Sequence, residues 1–206
     1  QNPLTYPASG LVNPMKGSLS FWIKPLDWEA GCKEFRPIFW LGGSGAHSVT
    51  YYLLLTGSGG IPQASFFTRL SGKELAAQYG IHDKEKFAKD KWTFVTLNWN
   101  AWQVELFLNG KTAALLSYSL PANEQALSTG FNLWFGNHRF WGKDYNYSSV
   151  FDEIRLYDDI LTPQEIEAEY LRHTAKVSAS SLSHRANVPK RQAAVKVDGA
   201  ASPGEW

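Results

Sequence analysis

Cysteine is nearly absent from this chain of 206 residues: Cys32 is the single one. That excludes an intrachain disulfide and any metal site built on several thiolates. Charge of one sign is lacking as well, because 20 Lys and Arg stand against 19 Asp and Glu, for a net +1. No bulk field therefore draws the chain to nucleic acid or to an anionic membrane. Long apolar runs are missing, so no membrane span is expected. The opening Gln1-Asn-Pro-Leu4 has neither the charged nor the apolar region of a signal peptide.

Catalytic signatures are scarce too. Neither glycine cluster, Gly42-Gly-Ser-Gly45 nor Gly57-Ser-Gly-Gly60, supplies the Gly-x-x-x-x-Gly-Lys-Ser/Thr of a phosphate loop. The second also lacks the leading glycine of a Gly-x-Ser-x-Gly nucleophile elbow. There is no His-Glu-x-x-His, and the five His are dispersed. A glycoside hydrolase needs two carboxylates roughly 5–10 Å apart flanking the scissile bond. Alternating acids on one strand would supply them, but Glu105 stands alone in its strand. Asp152-Glu153 are neighbours that alternation sends to opposite faces, and Asp158-Asp159 falls just before a helix. Hydrolysis is kept only as a reserve reading; the chain is expected not to be an enzyme.

What the chain has in quantity is aromatic residues, 15% with nine Trp, within a globular apolar fraction of 44%. From about Ser18 to Asp159 they fall in strand-like segments between turn residues. Ser18–Pro25 alternates, with Leu19, Phe21 and Ile23 on one face, read as the buried one, and Ser20, Trp22 and Lys24 on the other. Further strands are expected at 35–41, 49–55, 63–70, 92–99, 103–108, 131–135 and 149–157, with a short helical turn at 75–79. Asn109-Gly110 provides the positive φ angles of a tight hairpin turn. Strands so spaced, without helices between them, predict an all-β fold: an antiparallel two-sheet jelly-roll sandwich. One short C-terminal helix follows. Thr162 is its N-cap, Pro163 takes the first turn and Glu165 completes a capping box, with Leu161 and Ile166 as the staple. Ile166 and Tyr170, four apart, dock it on the sandwich, and it is expected to end near His173.

The domain reading is a sandwich over 1–174 and a Ser- and Ala-rich linker over 175–194. Residues 195–206 are then an ordered tail or the start of a truncated second domain. Within the sandwich, alternation puts Asp152 on the face of Val150, Ile154 and Leu156. A carboxylate there must cap backbone N–H groups, pair with Arg or Lys, or bind a structural calcium ion with oxygens from the N-terminal loop, Asp144 or Asn146.

Five stretches together resemble the laminin-G-like domains of the concanavalin A-like lectin/glucanase superfamily. They are Gly17-Ser-Leu-Ser-Phe-Trp-Ile-Lys-Pro25, Trp92-Thr-Phe-Val-Thr-Leu97, Val104-Glu-Leu-Phe-Leu-Asn-Gly-Lys111, Phe151-Asp-Glu-Ile-Arg-Leu-Tyr157 and Leu161-Thr-Pro-Gln-Glu-Ile166. The tail from Val195 to Trp206 resembles the opening of a family-nine-type carbohydrate-binding domain, where Asp-Gly and Glu-Trp recur at this spacing. The first resemblance implies a recognition module attached to a larger bacterial exported protein: secreted, periplasmic or at the cell surface. Its partners would be a glycan or polysaccharide and neighbouring domains of the same chain.

Fold alone does not choose between a glycan-binding module and a docking domain that binds no sugar. Aromatics at expected loops, Trp28, Trp99, Trp102, Trp141 and Tyr145, motivate the glycan reading, because sugar rings offer apolar faces to aromatic planes. The preferred patch is Trp141 with Arg139, Asp144 and Asn146. Trp102 and His138 are further candidates.

Overall fold

Alternation of apolar residues along β2 (Lys16–Pro25) sets the central layer of the molecule. Leu19, Phe21 and Ile23 point one way and are fully buried. The computed structural model describes residues 4–7, 12–13, 15–29, 36–42, 50–56, 63–70, 73–80, 86–117, 132–136, 147–179 and 195–197. The other strands are β1 (Leu4–Pro7), β3 (Arg36–Gly42), β4 (Thr50–Thr56), β5 (Gln63–Leu70), β6 (Lys73–Gly80), β7 (Thr93–Asn100), β8 (Gln103–Leu108), β9 (Lys111–Ser117), β10 (Asn132–Phe135), β11 (Ser149–Tyr157) and β12 (Val195–Val197). One helix, α1 (Pro163–Ala179), follows β11. Among the described residues no helix is long and apolar enough to cross a membrane.

The strands form two six-stranded antiparallel sheets. Sheet I runs β1-β10-β3-β4-β5-β6 and sheet II runs β12-β11-β2-β7-β8-β9. This is the expected jelly-roll sandwich, with one helix among the described residues. Its core lies between the sheets: Phe21 of sheet II meets Phe39 and Phe135 of sheet I edge to face, at ring separations of 5.7 and 5.1 Å. Val95, Leu97 and Trp99 of β7 and Val104, Leu106 and Leu108 of β8 close the same layer. Asn109 and Gly110 turn β8 into β9 with φ values of 52° and 79°, as the Asn-Gly pair requires.

Four expectations change. β2 is buried on both faces, not one: Ser18, Ser20 and Trp22 are as inaccessible as the core residues. The reason is α1, whose Ile166 packs with Trp22, Phe94 and Phe107 in a second cluster on the outer face of sheet II. Residues 75–79 form part of β6 rather than a helical turn, because Lys73–Gly80 pairs with β5 along its whole length. The helix-favouring Glu-Leu-Ala-Ala yields to that pairing. α1 continues past His173 to Ala179, since the next Gly or Pro after Pro163 is Pro189. Its extension takes over the first residues of the expected linker; 180–194 lie outside the described residues, and Val195–Val197 pairs with β11 at the edge of sheet II.

The start of α1 forms as expected. Glu165 N–H donates to Thr162 Oγ1 at 3.2 Å and Thr162 N–H to Glu165 Oε2 at 2.9 Å, a reciprocal capping box. A buried polar knot ties this end to the sheet. Ser18 Oγ accepts the Leu161 N–H and donates to Asn98 Oδ1, while Asn98 Nδ2 donates to the Leu161 carbonyl at 2.8 Å. Ser18 and Asn98, apolar-looking positions filled by polar residues, thus hold the helix where the second cluster needs it.

The fourth correction concerns β11. Its register with β2 shifts between Asp152 and Arg155, and Glu153 has a φ of 47°. This bulge reverses the phase of alternation. Phe151 before it and Ile154 and Leu156 after it pack on the core, so Val150 and Asp152 are exposed.

Candidate functional site

The two sheets offer two outward faces, and they differ. That of sheet II is roofed by α1, the one helix among the described residues. On sheet I, Phe39 and Leu41 of β3 and Leu133 and Phe135 of β10 enter the core. Period-two alternation therefore sends Trp40 and Trp134, between them, to the opposite face. The two are register partners across β3 and β10. Their indoles meet at 83° with 5.9 Å between ring centres, an edge-to-face pair worth about 0.5–1.5 kcal/mol beyond area burial. Both are half-buried.

Cross-strand partners share a face, so the register extends this row. Thr5 stands beside Trp134 on β1; Tyr52 stands beside Trp40 on β4, then Phe67 on β5 and Ala76 on β6. Adjacent strands lie about 4.8 Å apart, so the row from Trp134 to Phe67 is about 14 Å long. Positions two residues along on the same face hold Asn132 on β10, Thr50 and Leu54 on β4, and Ser65 and Arg69 on β5. Arg69 is partnered in register by Glu74. Aromatic positions in a line with amide and hydroxyl positions beside them form the composition that receives a sugar chain: apolar ring faces on the aromatics, hydroxyls on the polar groups.

Trp40 and Trp134 were not among the residues expected to bind. The signal was present in the sequence: within Ile38-Phe-Trp-Leu41 and Leu133-Trp-Phe135 the central Trp falls on the opposite alternation phase from its core neighbours.

The expected aromatics divide. Trp28 and Trp99 are core residues, at 4% and 1% exposure, and not loop ligands. Trp28 Nε1 donates to Ser149 Oγ and Trp99 Nε1 to the Asn13 carbonyl, so burial leaves neither indole N–H unsatisfied. Trp102 is exposed at 66%. It crowns the β7–β8 turn, where Asn100 Oδ1 accepts the N–H groups of both Trp102 and Gln103. Trp141, Arg139, Asp144, Asn146, His138 and Tyr145 lie outside the described residues.

Asp152 is not on the buried face where alternation placed it. Exposed by the bulge, it accepts the N–H of Glu153 at 2.8 Å. Among the described residues no group of three or more His, Cys, Asp or Glu gathers in a geometry for a metal ion. Glu105 accepts a hydrogen bond from Thr112 Oγ1 at 2.9 Å. The carboxylates that do come together are Glu153 of β11 and Glu169 of α1, with Arg155 between them at 2.6 and 3.5 Å. Burial lowers the affinity of that guanidinium for its proton, but the charges of Glu169 and Glu153 outweigh it and hold Arg155 above its ordinary range.

A family model described as the concanavalin A-like lectin/glucanases superfamily matches residues 2–167, and the chain belongs to this family. No curated protein matches the sequence. Among solved structures, the chain is similar to the receptor-binding domain of botulinum neurotoxin mosaic serotype C/D, with a TM-score of 0.57 and 16% identity over 77% of this chain. It is similar at the same TM-score to a botulinum neurotoxin type C structure, at 14% identity over 77% of the chain; interaction of that toxin with two ganglioside molecules is required for it to enter cells. A third is the binding domain of botulinum neurotoxin DC in complex with SialylT, at 14% identity over 78% of the chain. The chain spans 36% of the length of each.

Proposed function

We propose that the chain is a non-catalytic glycan-binding module of a larger extracytoplasmic protein, and that the outward face of sheet I is its binding platform. The observation that carries this reading is the Trp40–Trp134 pair, set on the sheet face that α1 does not cover and continued in register by Tyr52 and Phe67. The structural relatives support recognition as the use of the fold, since two of them are described with gangliosides or SialylT. A neutral chain suits this platform better than a sialylated one, because among the described positions beside the row the basic residue, Arg69, has the acidic Glu74 as its register partner.

The test is a panel of neutral polysaccharides and sialylated glycans presented to the chain and to Trp40→Ala, Trp134→Ala and Trp102→Ala variants of verified fold, with calcium and with chelator. Binding of a neutral glycan that weakens about tenfold in Trp40→Ala and Trp134→Ala, the loss of one good stacking contact, supports the platform. Binding that both variants retain and Trp102→Ala loses moves the site to the β7–β8 turn. Silence across the panel overturns the reading.

A further inference from the structure

The N-terminal end of α1 is fastened by the capping box and Ile166, but its later turns are held by a contact of another kind. His173 is buried, with 8% exposure. Its imidazole stacks on Trp22 of β2 at 4.2 Å between ring centres and 27° between planes, and Trp92 approaches it edge-on at 6.4 Å. The Nδ1 atom has no hydrogen-bond partner; it stands 3.7 Å from Oε1 of Glu153.

Glu153 is the bulge residue of β11, held with a φ of 47° in a left-handed conformation that side chains other than glycine's disfavour. The bulge brings its carboxylate beneath α1, where Arg155 reaches it at 2.6 Å and Arg172 at 3.5 Å as well as His173. A strained residue thus presents an anion to a buried imidazole lying on an indole face.

In this setting the contact depends on one proton. A neutral imidazole offers Nδ1 either as a lone pair facing a carboxylate, which repels, or as an N–H too far away to bond well. An imidazolium offers a charged donor to Glu153 and a cation to the Trp22 face, both attractive. The surrounding charges act in both directions. Arg155 of β11, Arg172 of α1 and Lys24 of β2, whose ammonium lies 5.1 Å over Trp92, oppose a further cation. Glu153 favours it directly, and Glu169, one turn earlier on α1, favours it while bound to Arg155, Ser20 and Tyr157. Glu153 and the Trp22 ring stand directly against the imidazole, at 3.7 Å and 4.2 Å.

We propose that His173 and Glu153 form a proton-operated latch, which fastens the later turns of α1 to the β11 bulge when the imidazole is charged and loosens when it is neutral. The latch is tested across pH 5 to 8, the interval in which a histidine side chain can change charge. It governs the path of the chain leaving the sandwich: Val197 pairs with Ile154, one residue from the bulge, so the latch and the returning strand share an anchor. This inference does not depend on what sheet I binds.

The experiment uses the full chain, with amide-exchange protection factors along α1 and Trp fluorescence measured from pH 5 to 8. In the wild type, protection at 171–175 rises about tenfold on acidification, the scale of one charge-assisted hydrogen bond, while that near Ile166 does not change. His173→Gln and the isosteric Glu153→Gln each abolish the rise. Should His173→Gln fail to fold, the ring resonances of His173 are followed in the wild type and in Glu153→Gln; a midpoint lowered in the variant supports the latch. Protection independent of pH in the wild type, a rise that persists in a folded His173→Gln, or an unmoved midpoint in Glu153→Gln overturns it.

Discussion

Gly17 lies against the indole of Trp99, its register partner across β2 and β7. A Cβ at position 17 would overlap Cζ2 of that ring and stand 2.8 Å from Cε2 and 3.0 Å from the Tyr157 carbonyl. The indole has nowhere to go, because Nε1 is bonded to the Asn13 carbonyl and the ring is 1% exposed. Glycine at the start of the Gly-Ser-Leu-Ser-Phe-Trp stretch is therefore a packing requirement. Gly17→Ala is expected to destabilise the chain by about 1–3 kcal/mol, as overpacking does, read as a shift in the denaturant midpoint without a change in slope.

The Trp40–Trp134 pair gives a second prediction, on stability rather than binding. In a double-mutant cycle of Trp40→Ala and Trp134→Ala, a coupling of about 0.5–1.5 kcal/mol is expected from edge-to-face rings in contact. Additive losses would show that the rings do not interact in solution.

Docking of α1 can be weakened at two points with different magnitudes. Phe107→Ala empties a fully buried position under Ile166 and is expected to cost about 3–5 kcal/mol. Thr162→Ala removes only the capping hydroxyl and should cost about 1 kcal/mol. Circular dichroism with urea titration ranks them; equal losses would mean that the cap, not the cluster, seats the helix.

Alkaline solution is expected to unfold the chain earlier than its charge balance suggests. Burial, reinforced by the charge of Glu169 and a hydrogen bond to it, pushes the Tyr157 phenol well above its ordinary 10.0. Burial pushes Tyr147 up too, although Arg36 pulls the other way. A group whose folded-state value is raised contributes stability that is fully present below the unfolded value and lost as pH rises towards the folded one. Stability should thus begin to fall near pH 10, where the unfolded chain starts to release these protons. Tyr157→Phe should flatten that fall in urea midpoints measured from pH 8 to 11; an unchanged slope would show that Tyr157 is not responsible.

Much of the frame was legible residue by residue. Strands β5, β8 and β11 run over the spans the pattern predicts, because period-two alternation and turn residues are local properties. Thr162 and Glu165 announced the helix start for the same reason, since a capping box needs four consecutive residues. β9 was not foreseen, although Asn109-Gly110 pointed to a further turn, because Lys111–Ser117 alternates weakly. The candidate site was harder. Loop position was read as exposure for Trp28 and Trp99, yet both seal the ends of the core.

The sequence by itself determined the sandwich, the antiparallel pairing and the cap of α1, because each rests on side-chain periodicity or on contacts a few residues apart. Packing in three dimensions set which face α1 covers and which way the residues of β11 point. α1 buries the second face of β2, and one extra residue at Glu153 turns Asp152 to solvent and brings Glu153 beneath His173. Strand order aligned Trp134, Trp40, Tyr52 and Phe67, which lie far apart in the chain. A period in the sequence says that two faces exist; only packing against the other elements says which of them meets water.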